Sequence, residues 1–177
     1  PWDWQPHLKR LADDIGIGLL SAPFDHTAVD FLQQMNVGAY TIASFEVMDI
    51  PLIQRVARTG KPVIISTGMA TLAQIDEAVR TVRQEGNEQI VLLKCTSAYP
   101  APPESMDLLT IPHMAQAFSV PVGLSDHTMG TSVAIAAVAL GAVVVEKHFT
   151  MARSDGGPDG GFSLEPQELK EMVEGIR

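Results

Sequence analysis

The sequence has little cysteine, few aromatic residues and fewer basic than acidic side chains, and each shortage excludes a class of protein. Cys95 is the single cysteine in 177 residues. No disulfide can form within the chain, and we expect a reducing compartment, the cytoplasm. Lys and Arg number 12 against 21 Asp and Glu, a formal net charge of −9. Nucleic acids and anionic membrane surfaces attract basic proteins, so neither is expected as a partner.

Long apolar runs and a dinucleotide-binding glycine motif are also missing. The longest apolar candidate, residues 132–145, contains Gly141 and is shorter than the about 20 residues of a membrane-spanning helix. No strand candidate is followed by Gly-x-Gly-x-x-Gly, the turn that cradles a dinucleotide. Hydrophobic residues nevertheless make up 46% of the chain. This share excludes an intrinsically disordered protein and predicts a packed core.

Short apolar runs alternate along the chain with segments of helical period. The runs are rich in Val, Ile or Leu without strict alternation, which is typical of strands buried on both faces of a parallel sheet. Six are found, at residues 17–21, 39–44, 62–67, 90–96, 120–125 and 142–148. Helices are predicted between them, for example over 71–83, where Thr71 and Gln74 match a capping box. The order predicts an α/β fold.

Two α/β architectures fit this order, a doubly wound sheet and a (β/α)₈ barrel. In a doubly wound sheet the ligand binds where the strand order reverses, so only one or two strand ends need polar residues. In a barrel every strand directs its carboxyl end at one shared site. All six predicted strands end in polar or ionisable residues, which favours the barrel. We therefore expect residues 1–177 to form a single partial barrel domain of about six βα units. The absence of Met at Pro1 suggests a piece of a longer protein.

The most informative pair of polar residues is His127 and His148, which follow consecutive predicted strands. Neighbouring strands lie about 4.8 Å apart, so two imidazoles at equal heights can share one metal ion. Imidazole suits zinc, manganese, iron or cobalt, and two protein ligands leave positions open for substrate and water. The adjacent carboxylates of Asp126 and Glu146 could orient the rings. The alternative is that each histidine simply caps a strand end.

Other polar residues near strand ends allow two interpretations each. Glu46 is either a general base at the barrel mouth or a carboxylate that starts the next helix. Residues 153–161, with four glycines, form either a binding loop or a disordered connector. Cys95 is expected as a small buried core residue rather than a nucleophile. Serine hydroxyls could converge on a phosphate or a carboxylate, or serve only as turn formers; these are Ser44, Ser66, Ser97 and Ser125.

Several segments together resemble the sialic acid synthase family, the phosphoenolpyruvate-dependent enzymes that make nonulosonic acids. They occur in the family's order over nearly the whole chain. The segments are Ser21-Ala22-Pro23-Phe24-Asp25, Ile42-Ala43-Ser44-Phe45-Glu46, Ser66-Thr67-Gly68-Met69, Cys95-Thr96-Ser97-Ala98-Tyr99-Pro100, Gly123-Leu124-Ser125-Asp126-His127-Thr128, Glu146-Lys147-His148-Phe149-Thr150 and Gly157-Pro158-Asp159. Residues 97–100 and 153–164 are most similar to pseudaminic acid synthases, with N-acetylneuraminate synthases next.

The resemblance implies a (β/α)₈ barrel, of which this chain would hold strands 3–8 without the family's C-terminal antifreeze-like domain. It implies a divalent metal, usually Mn²⁺ with Mg²⁺ or Co²⁺ as alternatives, held by His127 and His148. These histidines and Glu46 are the implied catalytic residues. The implied substrate-binding residues are Thr41, Ser44, Ser66, Ser97, Tyr99, Ser125 and Asp159. The expected partners are phosphoenolpyruvate, an acetamido sugar and, in the full-length protein, a second subunit of a homodimer.

The implied activity is that of a carbon–carbon bond-forming transferase that condenses phosphoenolpyruvate with an open-chain acetamido sugar. The family usually has Lys where this chain has Thr41, and many of its members have Thr where this chain has Ala22. Thr41 can donate a hydrogen bond to a phosphate but supplies no charge. A second hypothesis is therefore a non-catalytic, sugar-binding barrel fragment. A third is a different metal-dependent barrel enzyme, such as an aldolase or a hydrolase acting on a small polyol.

Overall fold

The computed structural model describes residues 2–177, which fall into two compact units. The first unit contains residues 2–65 and 71–90, and the second contains residues 66–70 and 91–177. Each unit combines helices with parallel strands.

The first unit alternates helices and strands. Its β1 runs parallel to β2, with Tyr40 opposite Val63 and Ile42 opposite Ile65. All four of these side chains are buried. The elements are α1 (Gln5–Asp14), α2 (His26–Gln34), β1 (Tyr40–Ile42), α3 (Ile50–Ala57), β2 (Val63–Ser66) and α4 (Leu72–Gln84), with 3₁₀ turns at Trp2–Trp4 and Ser44–Glu46. Ser66, the last residue of β2, already belongs to the second unit.

Side-chain caps fix where the helices of the first unit begin. Thr71 accepts a hydrogen bond from the backbone N–H of Gln74, and the Gln74 side chain accepts one from the backbone of Thr71 at 2.8 Å. The predicted capping box is thereby confirmed. Asp49 caps α3 by accepting from the backbone N–H of Leu52 at 3.0 Å. Both helices then bury their apolar faces in the core of this unit.

The prediction of a strand at residues 17–21 is wrong. In the part of the chain that the structure describes, only Ser21 takes part, in an isolated parallel bridge to Tyr40. The single hydrogen bond there, from Thr41 N–H to Ser21 O, is 3.5 Å long. Ile17 and Leu20 remain 60% and 44% exposed. An apolar run becomes a buried strand only where neighbouring elements cover it, and these side chains lack such cover.

The second unit holds a parallel sheet of β3, β4 and β5 with helices between the strands. Its elements are β3 (Ile90–Cys95), α5 (Thr110–Phe118), β4 (Val122–Asp126), α6 (Ser132–Ala139), β5 (Val145–Lys147) and α7 (Pro166–Ile176), with 3₁₀ turns at Pro103–Ser105, Arg153–Asp155 and Gly160–Phe162. β4 pairs with β3 and with β5, in parallel on both sides. All five residues of β4 are buried, as expected of a strand inside a parallel sheet.

The apolar run at residues 132–145 folds as α6 and a turn at Gly141, whose φ is +99°. α6 has 8 residues, a length of about 12 Å. Across residues 2–177, no helix is both long enough and apolar enough to cross a membrane.

The register of the sheet sets the heights of the residues that follow each strand. Ser125 lies opposite Glu146, and Asp126 lies opposite Lys147. One residue further, His127 and His148 are therefore at the same level, as predicted from the sequence. Because parallel strands end at one edge of a sheet, both histidines lie at that edge.

A close approach of backbone in this sheet requires glycine at position 123. A Cβ at Gly123 would lie 2.5 Å from the carbonyl oxygen of Val144 and 2.8 Å from Cδ2 of Leu93. Neither contact can be relieved cheaply, because one atom belongs to the backbone and the other to a buried side chain. Gly123 thus allows β4 to pack inside this unit.

Changing Gly123 to Ala should lower the free energy of unfolding by about 1–3 kcal/mol, the usual cost of overpacking. Gly38→Ala is the matched control, since nothing lies within 4 Å of a Cβ built there. We expect the control to change stability by less than about 0.5 kcal/mol or to raise it slightly. Urea unfolding of the complete protein measures both variants. Equal stability of the two variants would contradict the close approach.

Candidate active site

The carboxyl ends of β4 and β5 border a cavity of about 260 Å³ in the second unit. Its lining is polar and contains Ser125, His127, Glu146, Lys147 and His148. The ring centroids of His127 and His148 lie 5.3 Å apart. The structure thus brings together the two histidines that the sequence predicts as metal ligands.

His127 is held firmly in one orientation. Its Nδ1 lies 3.0 Å from the carbonyl oxygen of Thr96. A carbonyl only accepts hydrogen bonds, so Nδ1 carries the proton and Nε2 keeps a free lone pair. The backbone oxygen of His127 accepts from Ala101 N–H at 2.9 Å, and the Tyr99 ring packs on the imidazole with centroids 4.3 Å apart. This tautomer is the one that binds a metal through Nε2.

His148 is held by the loop that follows its own strand, the return loop (residues 150–163), which leads from β5 to α7. The Phe162 ring packs against the imidazole with centroids 4.9 Å apart. The carboxylate of Asp159 lies 3.6 Å from Nδ1, longer than a hydrogen bond. The backbone oxygen of His148 accepts from Leu164 N–H at 2.8 Å. The segment is ordered by these contacts, so the alternative of a disordered connector is wrong.

The two imidazoles titrate differently. Burial lowers the pKa of His127, but its hydrogen bonds to Cys95 and to the Thr96 carbonyl outweigh that effect and raise the pKa overall. Burial lowers the pKa of His148, and the neighbouring His127 lowers it further, against the opposing charge of Asp159. His148 is therefore neutral near pH 7, the form in which imidazole binds metals.

The expectation that Asp126 orients an imidazole is wrong, and that for Glu146 stays a prediction. Asp126 forms an ion pair with Lys147 at 2.6 Å, and both side chains are almost completely buried. Glu146 accepts a hydrogen bond from Ser125 Oγ at 2.7 Å. Side chains alternate along a strand, so Asp126 lies on the face opposite His127, whereas Glu146, two residues before His148, lies on the face of the histidines and lines the cavity. The carbonyl of Thr96 takes the orienting role at His127.

The second unit contains four further residues that the sequence predicts to bind substrate, namely Ser66, Ser97, Tyr99 and Ser125. Tyr99 contacts both rings, with its centroid 6.1 Å from that of His148. Ser97 Oγ is buried, and no group in the described chain is its hydrogen-bond partner. A buried hydroxyl without a partner is costly unless a bound molecule satisfies it. Ser125 is buried beside Glu146, and Ser66 is half-buried at the end of β2.

The first unit contains the remaining predicted residues, Thr41, Ser44 and Glu46. Thr41 is half-buried and faces away from the buried side chains of Tyr40 and Ile42, because residues alternate along β1. Ser44 is buried. Thr41 lies on β1, and Ser44 and Glu46 lie on the 3₁₀ turn that follows it.

Glu46 is not the carboxylate that starts the next helix, since Asp49 caps α3. Its Oε2 is buried and lacks a hydrogen-bond partner within residues 2–177. Burial raises the pKa of Glu46. The interpretation of Glu46 as a helix-starting carboxylate is thus excluded, and its interpretation as a general base stays a prediction.

Sequence reasoning missed two contributors to the site. Phe162 was detectable as the single aromatic side chain between Met151 and Leu164. Thr96 acts at His127 through a backbone oxygen, for which residue type carries no signal. Cys95 is buried as predicted and also lies 3.9 Å from His127 Nδ1.

A divalent metal ion fits this donor set. Metal–nitrogen bonds of about 2.1 Å allow two imidazoles at this separation to reach one ion. In the chain from residue 2 to 177, no group of three or more His, Cys, Asp or Glu is arranged to hold a metal. The residues that would hold such an ion are His127 and His148, with substrate or water in the other positions.

Known proteins share both the sequence and the fold. The NeuB family model matches residues 1–177. A pseudaminic acid synthase from Helicobacter pylori is 42% identical over 177 residues, which cover 100% of this chain and 52% of that protein. An N,N'-diacetyllegionaminic acid synthase from Campylobacter jejuni is 43% identical over 168 residues, 94% of this chain and 50% of that protein.

The spore coat polysaccharide biosynthesis protein SpsE from Bacillus subtilis has a solved structure with the same fold. The two structures superpose with a TM-score of 0.97, and the sequences are 43% identical. The match covers 100% of this chain and 50% of the SpsE chain. The chain spans about half the length of the relatives it matches. The likeness confirms the predicted fold class, an α/β partial (β/α)₈ barrel. The family match confirms the resemblance found in the sequence, and the chain belongs to the NeuB family, the sialic acid synthases.

Proposed function

We propose that this chain is part of the catalytic barrel of a nonulosonic acid synthase. The observation that carries the proposal is the pair of imidazoles at one sheet edge, 5.3 Å apart, with the His127 tautomer fixed by the Thr96 carbonyl. Relatives that are named synthases of pseudaminic and legionaminic acid support it. The substrates would be phosphoenolpyruvate and an acetamido sugar in its open-chain form.

The proposed reaction sets three tasks for the site. C3 of phosphoenolpyruvate forms a bond to the aldehyde carbon of the sugar, whose oxygen takes up a proton. C2 gains positive charge, water adds there with loss of a proton, and the tetrahedral intermediate releases phosphate to leave a 2-keto acid. The site must therefore align two polar substrates, bind an anionic phosphate and polarise one carbonyl.

Each task has candidate groups in the second unit. A divalent metal held by His127 and His148 would supply a Lewis acid for the aldehyde. The buried hydroxyl of Ser97, which lacks a protein partner within residues 2–177, would donate to an anionic substrate. Local donors of this kind matter because the net charge of −9 gives the protein no general attraction for anions. Tyr99 and Asp159 would contact the sugar at the exposed rim.

Glu46 is the proposed proton carrier of the first unit. Burial raises the pKa of its carboxyl and brings the titration closer to neutral pH. A carboxyl placed against a substrate can accept a proton from it and return one to it. Its Oε2 is buried and has no hydrogen-bond partner among the described residues, so a substrate hydroxyl could bond it.

The finer parts of the proposal concern the sugar, the metal and the assembly. The similarity of residues 97–100 and 153–164 to pseudaminic acid synthases favours the precursor of pseudaminic acid as the sugar, and the N-acetylneuraminate precursor is the alternative. Manganese as the native metal, a homodimer of the full-length protein and a cytoplasmic location stay predictions.

The complete protein, supplied with Mn²⁺, should release inorganic phosphate only when phosphoenolpyruvate and an accepted acetamido sugar are both present. A colorimetric phosphate assay over a panel of acetamido sugars measures this, and omission of the sugar gives the background. Consumption of the sugar without phosphoenolpyruvate would contradict the proposal and favour an aldolase or a hydrolase.

Changing His127 or His148 to Ala should weaken Mn²⁺ binding by more than about 100-fold and abolish turnover, because each variant removes one of two protein ligands. Electron paramagnetic resonance of free Mn²⁺ measures the affinity. His113→Ala, at an exposed position of α5, is the matched control and should bind Mn²⁺ as the wild type does. Unchanged affinity in both site variants would refute the metal ligands.

Changing Thr41 to Lys should lower the KM for phosphoenolpyruvate by about tenfold, which corresponds to about 1.4 kcal/mol. The new ammonium group adds the charge that Thr41 lacks for the phosphate. Thr41→Met, of similar length without charge, is the control and should not lower KM. If the two variants show equal KM values, Thr41 does not face the phosphate.

A further inference from the structure

We propose that Arg153 is a positioning residue of the site, because it holds the return loop so that Asp159 and Phe162 lie against His148. The proposal rests on the proposed function insofar as His148 serves the reaction. Arg153 itself bonds Ser163, Glu165 and Glu168 rather than either histidine. It would act through the loop.

Arg153 joins the beginning of the return loop to its end. Its backbone N–H donates to the Glu165 carboxylate at 2.8 Å, and its Nε donates to the backbone oxygen of Ser163 at 3.1 Å. A terminal nitrogen of the guanidinium pairs with Glu168 in the first turn of α7. The side chain is 29% exposed, so these bonds are partly shielded from water. Three donors of Arg153 thus join the beginning of the return loop to its end and to the start of α7.

Ser163 carries this restraint to the part of the loop that reaches His148. The Ser163 hydroxyl donates to the backbone oxygen of Asp159 at 2.8 Å, and Ser163 N–H donates to the same oxygen at 3.2 Å. Asp159 then lies 3.6 Å from His148 Nδ1, and Phe162 packs on the imidazole. A short chain of hydrogen bonds therefore runs from Arg153 through Ser163 to Asp159.

The loop needs such a restraint because its composition favours disorder. Gly156 and Gly157 adopt φ values of +77° and +92°, and glycine loses more conformational entropy on ordering than other residues. The apolar anchors of the loop are concentrated at its end, where Phe162 is buried. The Arg153 contacts supply order at the beginning.

A purely structural role for Arg153 at the start of α7 is the competing interpretation. Glu165 and Glu168 already form a capping box, in which Glu168 accepts from Glu165 N–H at 2.9 Å. Loss of Arg153 therefore leaves the helix cap in place. If Arg153 positions the loop, its loss changes the return loop and the site. If its role is purely structural, its loss changes α7 alone.

The test compares Arg153→Ala and Arg153→Lys in the complete protein. Lys170→Ala is the matched control, because Lys170 pairs with Glu174 at 3.8 Å on the same helix and both side chains are about two-thirds exposed. Hydrogen exchange of the metal-free protein, read by mass spectrometry, reports the amides of residues 157–164. Steady-state kinetics with Mn²⁺ report kcat and both KM values.

In Arg153→Ala we expect exchange in residues 157–164 to accelerate by at least about tenfold and kcat to fall by about 10–100-fold. Exchange in α7 and the thermal midpoint should stay close to wild type. Arg153→Lys should recover part of kcat, since one ammonium group can replace only some of these bonds. Lys170→Ala should match the wild type in every measurement.

Wild-type exchange in residues 157–164 of Arg153→Ala would overturn the proposal, as would faster exchange confined to α7. The exchange measurement needs neither metal nor substrate. Consequently, a wild-type protein without phosphoenolpyruvate-dependent activity would refute the proposed function while the exchange result still decides the role of Arg153 in the loop.

Discussion

The parallel hydrogen-bonded register of β4 and β5 is the constraint on which the candidate site depends. It places Ser125 opposite Glu146, and so places His127 and His148 at one level. A slip by one residue would turn every side chain of a strand to the other face, and the two imidazoles would no longer share a position. Gly123 belongs to the same constraint, because a side chain there would collide with the backbone at Val144.

The opposite face of the same strands carries a device that opposes such a slip. Asp126 and Lys147 are register partners, and their ion pair of 2.6 Å is almost fully buried. Buried ion pairs contribute little net stability, but separating one leaves an uncompensated charge at a cost of about 3–5 kcal/mol. Both members also bond the backbone of Thr128, at its N–H and its carbonyl. The pair therefore fixes both the register and the turn that carries His127.

The sequence predicts those parts of the fold and site that depend on local pattern. Helix period and the Thr71 capping box locate α4, and polar residues after apolar runs locate the two histidines. The segment at 17–21 could not be predicted correctly, because an apolar run becomes a strand only when neighbours cover it. The ordering of His127 by a backbone carbonyl has no signature in residue type. Alternation along the strands does indicate that Asp126 lies on the face opposite His127 and that Glu146 lies on the face of His148.

The two histidines have different supports in the second unit. β4 has β3 on one side and β5 on the other, so the segment after β3 reaches His127 and supplies the Thr96 carbonyl and the Tyr99 ring. β5 pairs with β4. His148 takes its second support from the chain that follows it, where Phe149 bridges Leu164 and the return loop brings Phe162 and Asp159 to the ring. The support of His127 thus comes from a segment before it in the chain and that of His148 from a segment after it, so the return loop and the Arg153 contacts at its base take a direct part in holding the site.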